Sequence, residues 1–201
     1  QGAKNLAIVC REFDVVLIHI STDFVFDGQK NEPYVETDVA NPISVYGASK
    51  LQGEIEIKQI LEKYFILRTS WLYSEHGNNF MKTMLRLAET RDEISVVSDQ
   101  IGTPTYAGDL AEVILKIMSL KNTNFGLYHY SNEGATSWYD FAKAIFEASN
   151  LKIKTSPIKT AAYPTPAKRP AYSVMDKTKI KRSLKIDIPF WDDHIINSIN
   201  K

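Results

Sequence analysis

Val15-Val16-Leu17-Ile18-His19-Ile20 leads straight into Ser21-Thr22-Asp23. The first six residues form an almost continuous apolar run, β-branched and of strand length. A strand wetted on one face would alternate, so a run without alternation predicts a strand buried on both faces, as parallel strands between helix layers are. Ser21, Thr22 and Asp23 then fall at its carboxyl end, where open α/β sheets collect their ligands. His19 lies inside the run with no second His or Cys at metal-ligand spacing. It reads as a core or sheet neighbour rather than a ligand.

Upstream, residues 2–13 place Ala3, Leu6, Ala7, Cys10 and Phe13 at three- and four-residue spacing, the pattern of an amphipathic helix. The chain opens on Gln1 directly into this helix, which reads as a trimmed start. Downstream, residues 24–43 form a loop with Asp27-Gly28, Pro33 and Pro42. So long a loop in a compact domain is more often functional than idle. Its acids, Glu32, Glu36 and Asp38, read as a solvated face. Residues 44–63 predict a helix with Leu51, Ile55 and Ile60 on its apolar side and Lys50, Glu54 and Lys58 on its polar side. Strands are expected over 64–67, 94–97 and 126–131. Helices are expected over 79–90, 108–120 and 137–149, the last with Ser137 and Asp140 as a capping box. Pro157, Pro164, Pro166 and Pro170 then break an irregular stretch before short helices over 176–183 and 191–199.

Strand and helix alternate through the first two-thirds, which predicts an α/β fold, a doubly wound parallel sheet with helices on both faces. Residues 1–135 are assigned to the sheet domain. Residues 136–201 are assigned to a smaller C-terminal substrate lobe, interleaved with it and packed on the ligand edge. Lys+Arg and Asp+Glu are both 24, so nothing in the charge favours nucleic acid or an anionic membrane. The composition, 44% hydrophobic and 24% charged, excludes disorder as the main state. Cys10 stands alone and fits a reducing, cytoplasmic setting. No apolar run reaches the roughly 18 residues of a membrane span.

Tyr46 and Lys50 are spaced i, i+4 and share one helix face. A free phenol, with a pKa of about 10, is a poor proton donor or acceptor at neutral pH, and a neighbouring ammonium lowers that value. Such a pair suits proton transfer. The preceding strand ends in hydroxyls that can hydrogen-bond a carbonyl oxygen. Hydroxyl, phenol and ammonium in this order suit carbonyl reduction or its reverse.

Ser21-Thr22-Asp23-Phe24-Val25-Phe26-Asp27-Gly28, followed by Tyr46-Gly47-Ala48-Ser49-Lys50-Leu51-Gln52-Gly53-Glu54, resembles the extended short-chain dehydrogenase/reductase superfamily. Within it, the sequence is most similar to the dTDP-4-dehydrorhamnose reductase family. Arg68-Thr69-Ser70-Trp71-Leu72-Tyr73, Gly77-Asn78-Asn79-Phe80, Asp99-Gln100-Ile101-Gly102-Thr103-Pro104-Thr105, Gly126-Leu127-Tyr128-His129 and Lys168-Arg169-Pro170 extend the match over nearly the whole chain. Phe24 departs from the usual Tyr. The resemblance implies an NAD(P)-binding Rossmann-type sheet and reduction of dTDP-4-dehydro-6-deoxy-L-mannose to dTDP-L-rhamnose with NADPH or NADH. It implies that Thr22 binds the C4 carbonyl oxygen, that Tyr46 delivers the proton, and that Lys50 holds the nicotinamide ribose. Asp23 and Val25 would line the sugar end, and Ser70 and Trp71 would lie beside nicotinamide and substrate. Asn79, Gln100 and Thr103 would serve the nucleotide diphosphate and base. Arg169 would pair with a phosphate, as a guanidinium can in bidentate fashion. Trp138 and Trp191 are assigned to cores. The family also allows a homodimer and, in some members, a link to Mg²⁺, although no metal site is read in the sequence.

The same family opens with a strand and a Gly-x-x-Gly-x-x-Gly turn that cradles the cofactor pyrophosphate. None of the nine glycines here makes a trio at that spacing. The resemblance therefore implies that roughly the first Rossmann half is missing. It also implies a partial sheet with an open parallel edge and little or no activity for this chain alone. Two other readings share the motifs. One is a nucleotide-sugar epimerase or dehydratase, which regenerates a bound NAD. The other is a non-catalytic subunit like the regulatory subunit of methionine adenosyltransferase.

Overall fold

The computed structural model describes residues 1–120 and 123–199. Among them the elements are, in chain order, α1 (Gly2–Glu12), β1 (Leu17–Thr22), α2 (Val45–Ile60), β2 (Tyr64–Thr69), β3 (Leu72–Tyr73), α3 (Phe80–Ala88), β4 (Glu93–Val97), β5 (Ile101–Gly102), β6 (Thr105–Tyr106), α4 (Ala107–Ser119), β7 (Gly126–His129), β8 (Thr136–Ser137), α5 (Trp138–Ala148), β9 (Lys154–Ile158), α6 (Thr178–Leu184) and α7 (Ile195–Ile199). Short 3-10 turns cover Asp23–Val25 and Thr160–Ala162. No helix among the described residues is long and apolar enough to cross a membrane.

The apolar runs build the centre. β1, β2 and β7 pair in parallel in that order, with Ser21 opposite Arg68 and Thr22 opposite Thr69. Successive side chains leave a strand on opposite faces. Phe65 and Leu67 therefore pack with Leu110, Val113 and Ile117 of α4 and with Ile180 and Leu184 of α6. Ile66 packs on the other side with Ala7 of α1 and Ile57 of α2. Helices cover both faces, the doubly wound arrangement expected from the alternation of elements.

The strand expected over 94–97 is present as β4 but lies outside this sheet. It pairs in parallel with β9, which lies in the stretch expected to be irregular. The reason is legible in its side chains. Glu93 and Ser95 are exposed while Ile94 and Val96 are buried, the alternation of a strand with one wet face. β9 contains Pro157, which is tolerated because a two-stranded sheet consists only of edges. A second core gathers here, with Met81 and Met84 of α3, Ile94 and Val96, Phe141 and Ile145 of α5, and Ile195 of α7. A cut after residue 135 thus divides the sequence but not the packing. Residues 80–97 join the second core, while residues 178–188 join the first. The helix expected over 191–199 begins only at Ile195, because the Asp193 carboxylate accepts the Phe190 N–H at 2.8 Å and holds a turn there.

The long loop is tied down at both ends of Tyr34. Its ring stacks on Phe26 at 4.1 Å, and its hydroxyl donates to Asp27 and accepts from the Gly28 N–H, both at 3.0 Å. Gly28 has φ +79°, and a Cβ there would lie 2.5 Å from Pro170, so the Asp27-Gly28 turn seats the Arg169-Pro170 segment. Glu36 does not sit on a solvated face. Its carboxylate accepts the His129 N–H at 3.0 Å, at the end of β7.

Candidate active site

Ser44 caps α2 by accepting the Gly47 N–H at 3.1 Å. Gly47 then backs directly onto the loop after β1, where a Cβ would lie 2.1 Å from the Phe24 carbonyl oxygen. This close approach lands the first turns of α2 on the carboxyl end of β1. Tyr46 and Lys50 consequently stand over Thr22 and Asp23 in a cleft of about 340 Å³, with Ser70, Trp71, Trp138 and Arg169 along its other walls.

The polar groups of the cleft are held but not exhausted. Lys50 donates from Nζ to the Ile20 carbonyl at 2.6 Å. Burial pulls its ammonium below the usual lysine range, and the nearby Glu54 carboxylate opposes that. The Tyr46 side is open, with the residue 53% exposed and its ring edge-on to Phe24 at 5.7 Å. Thr22 Oγ1 accepts the Phe24 N–H at 3.2 Å and donates to Asp23 Oδ1 at 3.1 Å. Asp23 is buried, and desolvation pushes its carboxyl up to about 6, only partly offset by the Ser173 and Thr22 hydroxyls. Asp23 Oδ2 and the buried Thr69 Oγ1, both from cleft residues, have no hydrogen-bond partner among the described residues.

The far wall is aromatic. Trp71 adopts φ +45° and stacks on Trp138 with centroids 3.6 Å apart and planes 10° apart. Gly102 makes room for it, since a Cβ there would lie 2.6 Å from the Trp71 ring. The Arg169 guanidinium lies 5.7 Å from the Trp138 ring centroid and has no ion pair among the described residues. Ser70 donates to the Thr103 carbonyl at 2.7 Å.

Thr22, Asp23, Tyr46, Lys50, Ser70, Trp71 and Arg169 are therefore brought together, as expected. Four other expected residues are not. Val25 is fully buried with Phe26, Tyr34 and Met175 and serves packing. Asn79 caps α3 by accepting the Lys82 N–H at 3.1 Å and donates to the Ser74 carbonyl at 2.7 Å. Gln100 donates to Thr160 Oγ1 at 3.1 Å, and the fully buried Thr103 donates to the Gly134 carbonyl at 2.8 Å. Trp138 packs against the second core beside Phe80 and Phe141, as expected, and also stacks on Trp71 to form a wall of the cleft. Trp191 packs edge-on against Phe141, within the second core.

Glu54, expected on the polar side of its helix, is wholly buried. Its carboxylate accepts Nε and Nη2 of Arg68 at 2.9 and 2.7 Å and the Ser21 hydroxyl at 2.5 Å. Burial raises this carboxyl's pKa, but the Arg68 hydrogen bonds and charge outweigh burial and hold it below the usual range. The signal was Arg68 itself. An arginine following Phe65-Ile66-Leu67 in a doubly buried strand requires a carboxylate partner.

The family described as RmlD substrate binding domain matches residues 1–201. A protein named dTDP-4-dehydrorhamnose reductase from Aggregatibacter actinomycetemcomitans is 46% identical over 98% of this chain and 70% of its own length. A namesake from Sinorhizobium fredii is 44% identical over 96% of this chain and 68% of its own length. The crystal structure of dTDP-4-dehydrorhamnose reductase from Bacillus anthracis in complex with NADP superposes with a TM-score of 0.94. It is 43% identical, over 99% of this chain and 70% of that one. The chain thus spans about 70% of the length of these relatives. Over that span it belongs to the dTDP-4-dehydrorhamnose reductase family.

Proposed function

We infer that the protein carrying this chain reduces dTDP-4-dehydro-6-deoxy-L-mannose to dTDP-L-rhamnose with NADPH, in rhamnose biosynthesis. The observation that carries this reading is the meeting of Thr22, Tyr46 and Lys50 in one cleft, in a chain whose relatives bear that enzyme's name. NADPH is preferred over NADH as the reductant because the Bacillus anthracis relative was solved with NADP. The cleft fits its nicotinamide and ribose end. Lys50 supplies a cation, Trp71 a flat wall, and Thr69 an unused buried hydroxyl. When bound, the reduced nicotinamide supplies a hydride to C4.

The chain's own residues do the rest. Thr22 turns its hydroxyl hydrogen from Asp23 to the C4 carbonyl oxygen and polarises it. Tyr46 donates its phenolic proton to that oxygen as the alkoxide develops. Lys50, one turn along the same helix face, stabilises the phenolate left behind. Arg169 pairs with the diphosphate at the rim. Among the described residues no group of three His, Cys, Asp or Glu could hold a metal. A cytoplasmic setting, expected from the lone Cys10, belongs to the same proposal.

The test is stoichiometry. Each dTDP-ketosugar turned over should consume one NADPH, followed by loss of its absorbance. Conversion of a nucleotide sugar with no net oxidation of NADPH would overturn the reductase reading in favour of an epimerase.

A further inference from the structure

Two clasps tie α2 to the end of β1. Lys50 Nζ donates to the Ile20 carbonyl at 2.6 Å, and Glu54, four residues later, accepts the Ser21 hydroxyl at 2.5 Å. They are neighbours on the helix face and on the strand. Glu54 reaches one strand further, to Arg68 on β2, the register partner of Ser21. One buried carboxylate thus fixes the carboxyl ends of two strands, one residue before Thr22 and two before Ser70.

We propose that Glu54 is a positioning residue for the reduction, acting through Ser21 and Lys50 to hold the Thr22 hydroxyl and the Lys50 ammonium in register with Tyr46. This rests on the reductase reading above. The charge of Glu54 matters as well as its reach. Lys50 is faced by His19 from β1 and by Tyr46 and Glu54 from α2. Glu54 is faced in turn by Arg68 and, at 3.7 Å, by Lys58. Burial works against the Lys50 ammonium and Glu54 works for it. Removing this carboxylate makes proton loss from Lys50 easier, so the high-pH limb of turnover moves to lower pH. Replacing both members of a buried ion pair by uncharged groups is often neutral for stability, so a fall in turnover without a fall in stability marks positioning.

The experiment compares Glu54→Gln, Glu54→Gln/Arg68→Met and Glu54→Asp with the parent sequence. Three quantities are measured: thermal unfolding, the titration of Lys50 followed by ¹³C NMR of its ε-methylene, and the pH profile of turnover. The single Gln variant leaves the Arg68 charge buried without a partner and is expected to lose stability. The double variant is expected to melt near the parent, yet to titrate Lys50 about one pH unit lower. Its turnover should fall about 10- to 100-fold, at nearly unchanged KM. A folded double variant with parental Lys50 titration and parental turnover overturns the proposal. If the double variant does not fold, Glu54→Asp decides. It keeps the charge and shortens the reach, so a fall in turnover supports positioning and parental turnover refutes it. The Lys50 titration needs neither substrate nor NADPH. A parent protein that fails to reduce the ketosugar would therefore refute the reductase reading while leaving the clasp tested.

Discussion

Burial pushes the Asp23 carboxyl up to about 6, against 3.8 for an ordinary aspartate. Between these values the folded protein holds a proton that the unfolded chain has lost. Stability therefore falls as pH rises through the window, and above about pH 6 the full cost of burying the charge is felt. Asp23→Asn never ionises and keeps an oxygen to accept from Thr22. It should leave stability unchanged below pH 4 and raise it by on the order of 2 kcal/mol at pH 7. Denaturant melts at the two pH values check this, and equal gains at both would contradict it. At this scale the sequence was informative where chemistry demands a spacing. Tyr46, Lys50 and Thr22 could be read because a phenol needs an ammonium one turn away and a carbonyl needs a hydroxyl nearby. Asn79, Gln100 and Thr103 lie outside the cleft and make hydrogen bonds within the fold, because amides and hydroxyls serve neighbouring protein groups as readily as ligands. Trp138 reads as core because it packs against the second core, and its stacking on Trp71 adds the cleft wall.

Helix α2 owes its place to Gly47. The Cβ added by Gly47→Ala would meet a backbone oxygen at 2.1 Å, which no side-chain rotation can relieve. The first turn of α2 must then lift from the end of β1, carrying Tyr46 with it. The expected cost is about 1–3 kcal/mol in denaturant unfolding, with a larger proportional loss of turnover. A variant as stable and active as the parent would mean that the helix does not depend on this approach. Element types were legible in the sequence, because a continuous apolar run and a 3.6-residue period are different signals. Partners were less so. β4 advertises its wet face through Glu93 and Ser95, but which strand covers its edge is decided 60 residues later by β9, whose Pro157 disguises it. Helix α2 likewise shows a polar residue at 54, and only the buried Arg68 reveals that this position faces inward.

Across the molecule, two cores meet along the cleft, and the groups behind the cleft set its response to acid. Burial and then the Arg68 charge push His129 down to about 3, from an ordinary 6.5, while its Nδ1 faces the Tyr34 carbonyl at 3.1 Å. The folded protein keeps this imidazole neutral while the unfolded chain protonates it. Stability should therefore fall as pH drops from 6.5 toward 3, by up to about 1.4 kcal/mol per pH unit. His129→Asn can still donate to Tyr34 and should flatten that slope. An unaltered slope would place the acid sensitivity elsewhere. The sign is opposite to that of Asp23, so the two variants separate cleanly between pH 4 and 6.

The most direct test of the account is Tyr46→Phe in the protein carrying this chain. The Tyr46 hydroxyl makes no hydrogen bond among the described residues and its ring keeps its edge-on contact with Phe24 in the variant, so the melting temperature should not change. NADPH-dependent reduction of the dTDP-ketosugar should fall by about 10²- to 10⁴-fold, the usual worth of a positioned proton donor. Turnover close to that of the parent, in a variant equally well folded, would show that the proton comes from elsewhere and would contradict the role assigned to this cleft.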